Sequence, residues 1–159
     1  MRYYLIDSVT SVEIGKSATG VKCISLTDNV LHDHFPDVPI LPGALITEGM
    51  AQLAGFLLEC TFNKNPDTPA LRAMLVQIDK MKFYKFSGPG DRLEYRIKID
   101  QKIEDGARVS AEAYCEGERR VAGALTFSMV DPKSQKITQQ RMDIYKIWTR
   151  NLSEVPLLR

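Results

Sequence analysis

His34 is followed by Phe35 and Pro36, prolines recur at positions 39 and 42, Gly43 follows at once, and Glu48 stands five residues beyond the glycine. An imidazole can take or give a proton near neutral pH, and the prolines stiffen the loop that carries it. Gly43, at the predicted start of a helix, lets a substrate approach backbone N–H groups that the first turn leaves unpaired. The helix dipole favours negative charge there, so the Gly43 amide fits an oxyanion-stabilising role. Glu48 sits on an otherwise apolar helix, where burial is expected to favour the neutral acid, a form able to donate a proton. Gln52, one turn further on, lies on the same side and can orient that carboxyl. Gly43 to Glu48 spans about 7.5 Å of helix rise, whereas the stretch from His34 to Pro42 can extend to roughly 27 Å. Either the loop folds back over its own helix, or the histidine meets a carboxylate from another subunit.

The elements that must position these groups follow from periodicity. From Ala44 to about Cys60 apolar residues surround nearly the whole helix circumference, which predicts a helix packed on several sides. The stretch before the loop predicts two strands, over Tyr3–Ile6 and Gly20–Leu26. Ala73–Phe83, Arg92–Gln101, Ala107–Glu116 and Arg119–Val130 predict four more, joined by turn chemistry such as Glu116-Gly117. One long helix and a largely antiparallel sheet make an α+β layout in which the sheet wraps the helix. A further helix is predicted over Ile137–Leu152, so residues 1–130 form the main domain and 131–159 a mildly cationic, helical C-terminal extension.

Composition sets the limits. The 159 residues carry 21 Lys+Arg against 20 Asp+Glu, and a formal charge of +1 supplies no basic surplus for nucleic acid. Three cysteines, at 23, 60 and 115, lack metal-ligand spacing, so buried free thiols are expected and no metal. Between Val38 and Leu58 only Glu48 is charged, but Pro39, Pro42 and Gly43 interrupt that window and argue for a buried helix instead of a membrane span. Asp7 interrupts the first apolar run too early for a secretory signal, which gives a cytoplasmic expectation.

The run His-Phe-Pro-x-x-Pro-x-x-Pro-Gly-(x)4-Glu-x-Met-Ala-Gln over residues 34–52 resembles the signature of the FabA/FabZ-like 3-hydroxyacyl-acyl-carrier-protein dehydratases, and glutamate at 48 leans toward the FabZ-type branch. A second block, Ile78 to Phe83 followed by Pro89 to Leu93, is also similar. Two positions depart from the pattern: Asp33 replaces a small residue and Asp37 a glycine. The resemblance implies a hot-dog fold and a homodimer with two interfacial sites, open to further assembly, each taking its histidine and its acid from different chains. It further implies a hydro-lyase of fatty-acid or related acyl-chain biosynthesis. His34 would remove the C2 proton of a 3-hydroxyacyl thioester, Glu48 assist loss of the C3 hydroxyl, and the Gly43 N–H polarise the carbonyl, giving a trans-2-enoyl thioester. No cofactor is implied, since the acyl group arrives on the phosphopantetheine of an acyl carrier protein, for which Lys80, Lys82, Lys85 and Arg92 are candidate docking residues. A hot-dog thioesterase and a non-catalytic acyl-binding module are the competing readings.

Overall fold

The computed structural model describes residues 3–159. Along them run β1 (Ser8–Glu13), β2 (Ser17–Cys23), α1 (Gly43–Phe62), β3 (Arg72–Phe83), β4 (Arg92–Ile103), β5 (Gly106–Cys115), β6 (Glu118–Val130) and α2 (Gln135–Trp148). The strands pair antiparallel in one sheet of order β1-β2-β4-β5-β6-β3. Glu116 and Gly117 both take positive φ, 52° and 77°, so a two-residue turn matches the twist of β5 and β6.

Alternate residues of β4 and β5 face the helix. Leu93, Tyr95 and Ile97 on one strand, and Ala107, Val109, Ala111 and Ala113 on the next, are buried against α1. The small alanines let the helix lie close to the sheet. Gly49 does the same from the helix side, since a Cβ there would stand 2.6 Å from the Tyr95 hydroxyl. Most of α1 is buried, Met50, Leu53, Phe56, Leu57 and Leu58 completely, as its all-round apolar pattern predicts. The architecture is the α+β, sheet-wrapped helix expected above.

The elements differ from the expectation at several points: β1 lies outside both strands predicted before the loop, β2 is Ser17–Cys23 and not Gly20–Leu26, and α2 is Gln135–Trp148 and not Ile137–Leu152. Tyr3–Ile6 is not a strand: Leu5 and Ile6 are buried as an irregular lead-in, held where the Leu5 N–H donates to Gln52 Oε1 at 3.0 Å, and pairing begins at Ser8. Helix α1 starts at Gly43 because the Pro42 carbonyl accepts from Leu45 and Ile46, at 2.9 and 3.2 Å. It runs on to Phe62, where Asn63 caps it and bonds both backbone groups of Leu71, at 2.8 and 2.9 Å. The thiols differ as well: all three are expected to be buried, and Cys60 and Cys115 are, but Cys23, at the end of β2, is exposed.

The chain beyond β6 packs onto the same core. Ser134 caps α2, and Ile144, Tyr145 and Trp148 on its inner side are buried, Tyr145 edge-on to Phe56 with ring centroids 5.1 Å apart. Among the described residues no helix is long and apolar enough to cross a membrane.

Candidate active site

The His34 loop is held by its own backbone. Ile40 N–H donates to the His34 carbonyl at 2.8 Å, Phe35 and Val38 exchange bonds at 3.0 and 3.1 Å, and Leu41 N–H reaches the Ser87 carbonyl at 2.8 Å. The 87–91 turn beneath it can lie this close because Gly88 has no side chain: a Cβ would stand 2.8 Å from the Pro39 carbonyl. Arg120, buried in β6, donates to the Phe86 carbonyl and braces the same turn. Against this support the His34 ring is half-buried, and its Nδ1 lies 2.9 Å from the Ile40 carbonyl. A carbonyl only accepts, so Nδ1 carries the hydrogen and Nε2 keeps its lone pair for a proton.

His34 and Gly43 open onto one cavity of about 300 Å³, walled by Phe35, Ile40, Phe83 and Phe86. The Gly43 N–H, in the first turn of α1, has no acceptor among the described residues. A Cβ on Gly43 would stand 2.5 Å from the Phe83 ring, so a bare backbone is needed for that approach. A base and an unpaired amide at a helix N-terminus thus share one apolar pocket.

Glu48 lies elsewhere. It is exposed, in contrast to the burial expected from its apolar helix, because the sheet covers the other sides of α1 and leaves this one open. Its Oε1 accepts from Gln52 Nε2 at 3.0 Å, and Gln52 also donates to the Tyr3 carbonyl at 2.9 Å. Glu48 and Gln52 border a second cavity, about 780 Å³, bounded by α1, β3 and α2. One chain therefore carries the histidine in one cavity and the acid in another.

The candidate docking residues Lys80, Lys82, Lys85 and Arg92 are exposed; Lys85 already pairs with Glu118 at 2.7 Å. His32 is exposed as well, outside both cavities. Sequence reasoning missed the buried polar cluster behind Glu48. Glu59, on the same helix, accepts from Tyr145 Oη at 2.7 Å, from Arg72 Nη1 at 3.3 Å and from the Ala73 N–H at 3.1 Å. Burial pushes the Glu59 carboxyl up from the usual carboxylate range, against the pull of Arg141, Tyr145 and Arg72. A second acid inside an apolar helix was the available sign. Burial also pushes the neighbouring Cys60 thiol up to about 12. Among the described residues no cluster of side chains has the makings of a metal site.

Known proteins resemble this chain in sequence and in fold. The FabA-like domain family matches residues 1–124. The chain is 35% identical over 123 residues to the 3-hydroxyacyl-[acyl-carrier-protein] dehydratase FabZ of Methylobacterium sp. (strain 4-46), covering 77% of this chain and 70% of that one. It is 30% identical over 130 residues to the FabZ of Clostridioides difficile (strain 630), covering 81% and 88%. Among solved structures, the dehydratase heterocomplex ApeI:P from Xenorhabdus doucetiae aligns with a TM-score of 0.65 at 23% identity, over 87% of this chain and 89% of that one. A hot-dog-like protein from Thermanaerovibrio acidaminovorans aligns at 0.60 with 18% identity, over 82% and 90%.

Proposed function

The chain belongs to the FabA-like family, and from that membership we propose that it dehydrates 3-hydroxyacyl thioesters to trans-2-enoyl thioesters as a hydro-lyase of acyl-chain biosynthesis. The observation that carries the reading is His34: its Nδ1–H is committed to the Ile40 carbonyl, and its ring shares an apolar pocket with the unpaired Gly43 N–H. In the step we infer, Nε2 takes the C2 proton and the electron pair passes into the thioester carbonyl, whose oxyanion the Gly43 amide holds. The pair then forms the C2–C3 double bond as the C3 hydroxyl leaves with a proton from Glu48. Proton return from His34 to Glu48 restores both groups, so one water is released and no cofactor is consumed.

His34 and Glu48 of one chain face different cavities, which supports a homodimer whose sites join the histidine of one protomer to the acid of the other. The second protomer would also cover the Glu48 carboxyl that a single chain leaves open. The free edge of β3 suits that assembly. It pairs only with β6, it is twelve residues long, and Met74, Val76 and Ile78 along it are exposed. Such an edge is a template for pairing with a second copy. The substrate would be presented by an acyl carrier protein in the cytoplasm, with Lys80, Lys82, Lys85 and Arg92 as its docking residues.

Incubation with a short 3-hydroxyacyl thioester on a carrier protein tests the reading. Loss of water with the thioester intact is the expected result. Release of free thiol would establish a thioesterase instead, and binding without turnover a carrier module.

A further inference from the structure

The cavity beside Glu48 is a groove with a closed end. Glu48, Ala51, Gln52 and Gly55 line it from one side of α1, which it follows for about 10 Å of helix rise. The next residue on that side, Glu59, does not border the cavity: it is buried and bonded to Tyr145, Arg72 and the Ala73 N–H, and this cluster stands beyond Gly55. Ala73 and Leu75 of β3 form a second wall. A Cβ on Gly55 would meet only the Ala73 Cβ, at 3.8 Å, so bulk beyond a methyl group at this position has to enter the groove. Helix α2, which lies past residue 124 where the family match ends, makes a third wall with Ile137, Ile144 and Trp148. The polar side chains that border the groove are engaged with one another or face outward: Glu48 pairs with Gln52, Arg72 with Glu59 and Arg141 with Tyr145, and Gln140 is exposed. The wall made by α2 is held in place. Tyr145 is tied to Glu59, Ser8 Oγ donates to the Trp148 carbonyl at 3.4 Å, Arg150 donates to the Asp7 carbonyl at 3.2 Å, and Arg159 donates to the carbonyls of Asn65, Pro66 and Thr68.

Resting on the dehydratase reading above, we propose that this groove receives the acyl chain beyond C3, and that Gly55 together with Ile137 and Ile144 of α2 sets the longest chain the enzyme accepts. Loss of the C3 hydroxyl at Glu48 puts C4 at the open end of the groove, and the cluster around Glu59 closes the other. An extended chain advances roughly 1.2 Å per bond, so the groove holds about eight carbons beyond C3, and acyl groups of about twelve carbons mark the limit. A longer chain has to displace bonded side chains or bend back into water, while each methylene that fits is worth about fourfold in binding. The C-terminal extension is then a length gauge for the substrate.

Carrier-bound 3-hydroxyacyl thioesters of four, eight, twelve and sixteen carbons test this. In the wild type kcat/KM is expected to rise up to twelve carbons and to fall by about tenfold or more at sixteen. Gly55→Leu, whose Cβ has room and whose remaining bulk enters the groove, should lower the ratio of the twelve-carbon to the four-carbon value by about tenfold or more, and Gly55→Ala by less. Ile137→Glu should lower the same ratio by about threefold or more with the fold kept, because the position is 42% exposed and stands three residues after the cap Ser134, where a glutamate suits the first turn. Undiminished turnover of the sixteen-carbon substrate by the wild type overturns the closed end. A loss in Gly55→Leu shared equally by all lengths makes Gly55 a packing residue and overturns the proposal as well, and a ratio unmoved by Ile137→Glu overturns the part given to α2. Dehydration of none of the four substrates sets aside the active-site reading itself, whereas dehydration without a length limit sinks the groove assignment alone.

Discussion

The two cavities of this chain are finished to different degrees. Around His34 the loop is tied down: it bonds to itself at His34, Phe35, Val38 and Ile40, leans on the 87–91 turn and fixes the imidazole hydrogen on Nδ1. Around Glu48 the carboxylate is exposed and has one side-chain partner, Gln52, while the organised polar groups lie deeper, at Glu59 and α2. On the reading proposed above, the first half supplies the base and the oxyanion position and no acid. The second would supply the acid and room for a chain, and no base. A half-site whose acid stands in solvent lacks the desolvation that strengthens acid–base chemistry, and the simplest source of cover is a second copy of the other half.

The sharpest way to break this contrast is to damage one half at a time. His34→Ala and Glu48→Gln are each expected to lower the dehydration rate by about 10²–10⁴-fold, with the fold intact by circular dichroism. Mixed under conditions of subunit exchange, the two variants should regain activity. Random pairing makes half the dimers mixed, each with one undamaged site, so recovery to about a quarter of the wild-type rate is expected. No recovery despite proven exchange would show that each chain completes its own site.

A smaller loss should follow from disturbing what brings the halves together. Ile78 is 51% exposed on the free edge of β3 in a single chain, and Ile78→Lys puts a charge where another copy would pair. Sedimentation should show a shift toward monomer, and activity should drop by about tenfold or more at low protein concentration and return as concentration rises. A variant that stays dimeric at full activity would remove β3 from the interface.

Much of this was legible in the sequence, and unevenly so. The helix and four later strands showed because their periodicities are strong and turn residues such as Glu116-Gly117 separate them. His34, Gly43 and Glu48 stood out because imidazole, proline, glycine and carboxylate occur together only there. The sequence misled where burial was inferred from composition alone. An apolar helix with one open side leaves Glu48 exposed, and of the apolar Tyr3–Ile6 run only Leu5 and Ile6 found a place in the core, without pairing, while Tyr3 and Tyr4 are exposed. What periodicity could not express was contact between distant segments. Glu59 and Tyr145 are 86 positions apart, and nothing local says that they meet. Neither does any pattern show that Arg120 braces the turn under the His34 loop.

The tie between Glu59 and Tyr145 gives the smallest and most specific test, since it anchors α2 to the acid half and leaves the histidine half alone. Burial holds the Glu59 carboxyl above its unfolded value, so the folded state favours the protonated form. The stability from that proton is complete below the unfolded pKa and is lost as pH rises through the folded one. The Tyr145 hydroxyl works against the shift by donating to the carboxylate, and a hydrogen bond to a charged group is worth more than one to a neutral group. Tyr145→Phe should therefore cost about 1.5–3 kcal/mol where Glu59 is ionised and nearer ~1 kcal/mol where it is protonated, so the cost falls as pH is lowered. Urea unfolding over a pH series measures the difference. A cost that stays constant or grows as pH is lowered would mean that the hydroxyl does not stabilise a buried charge, and that packing alone holds α2 to the core.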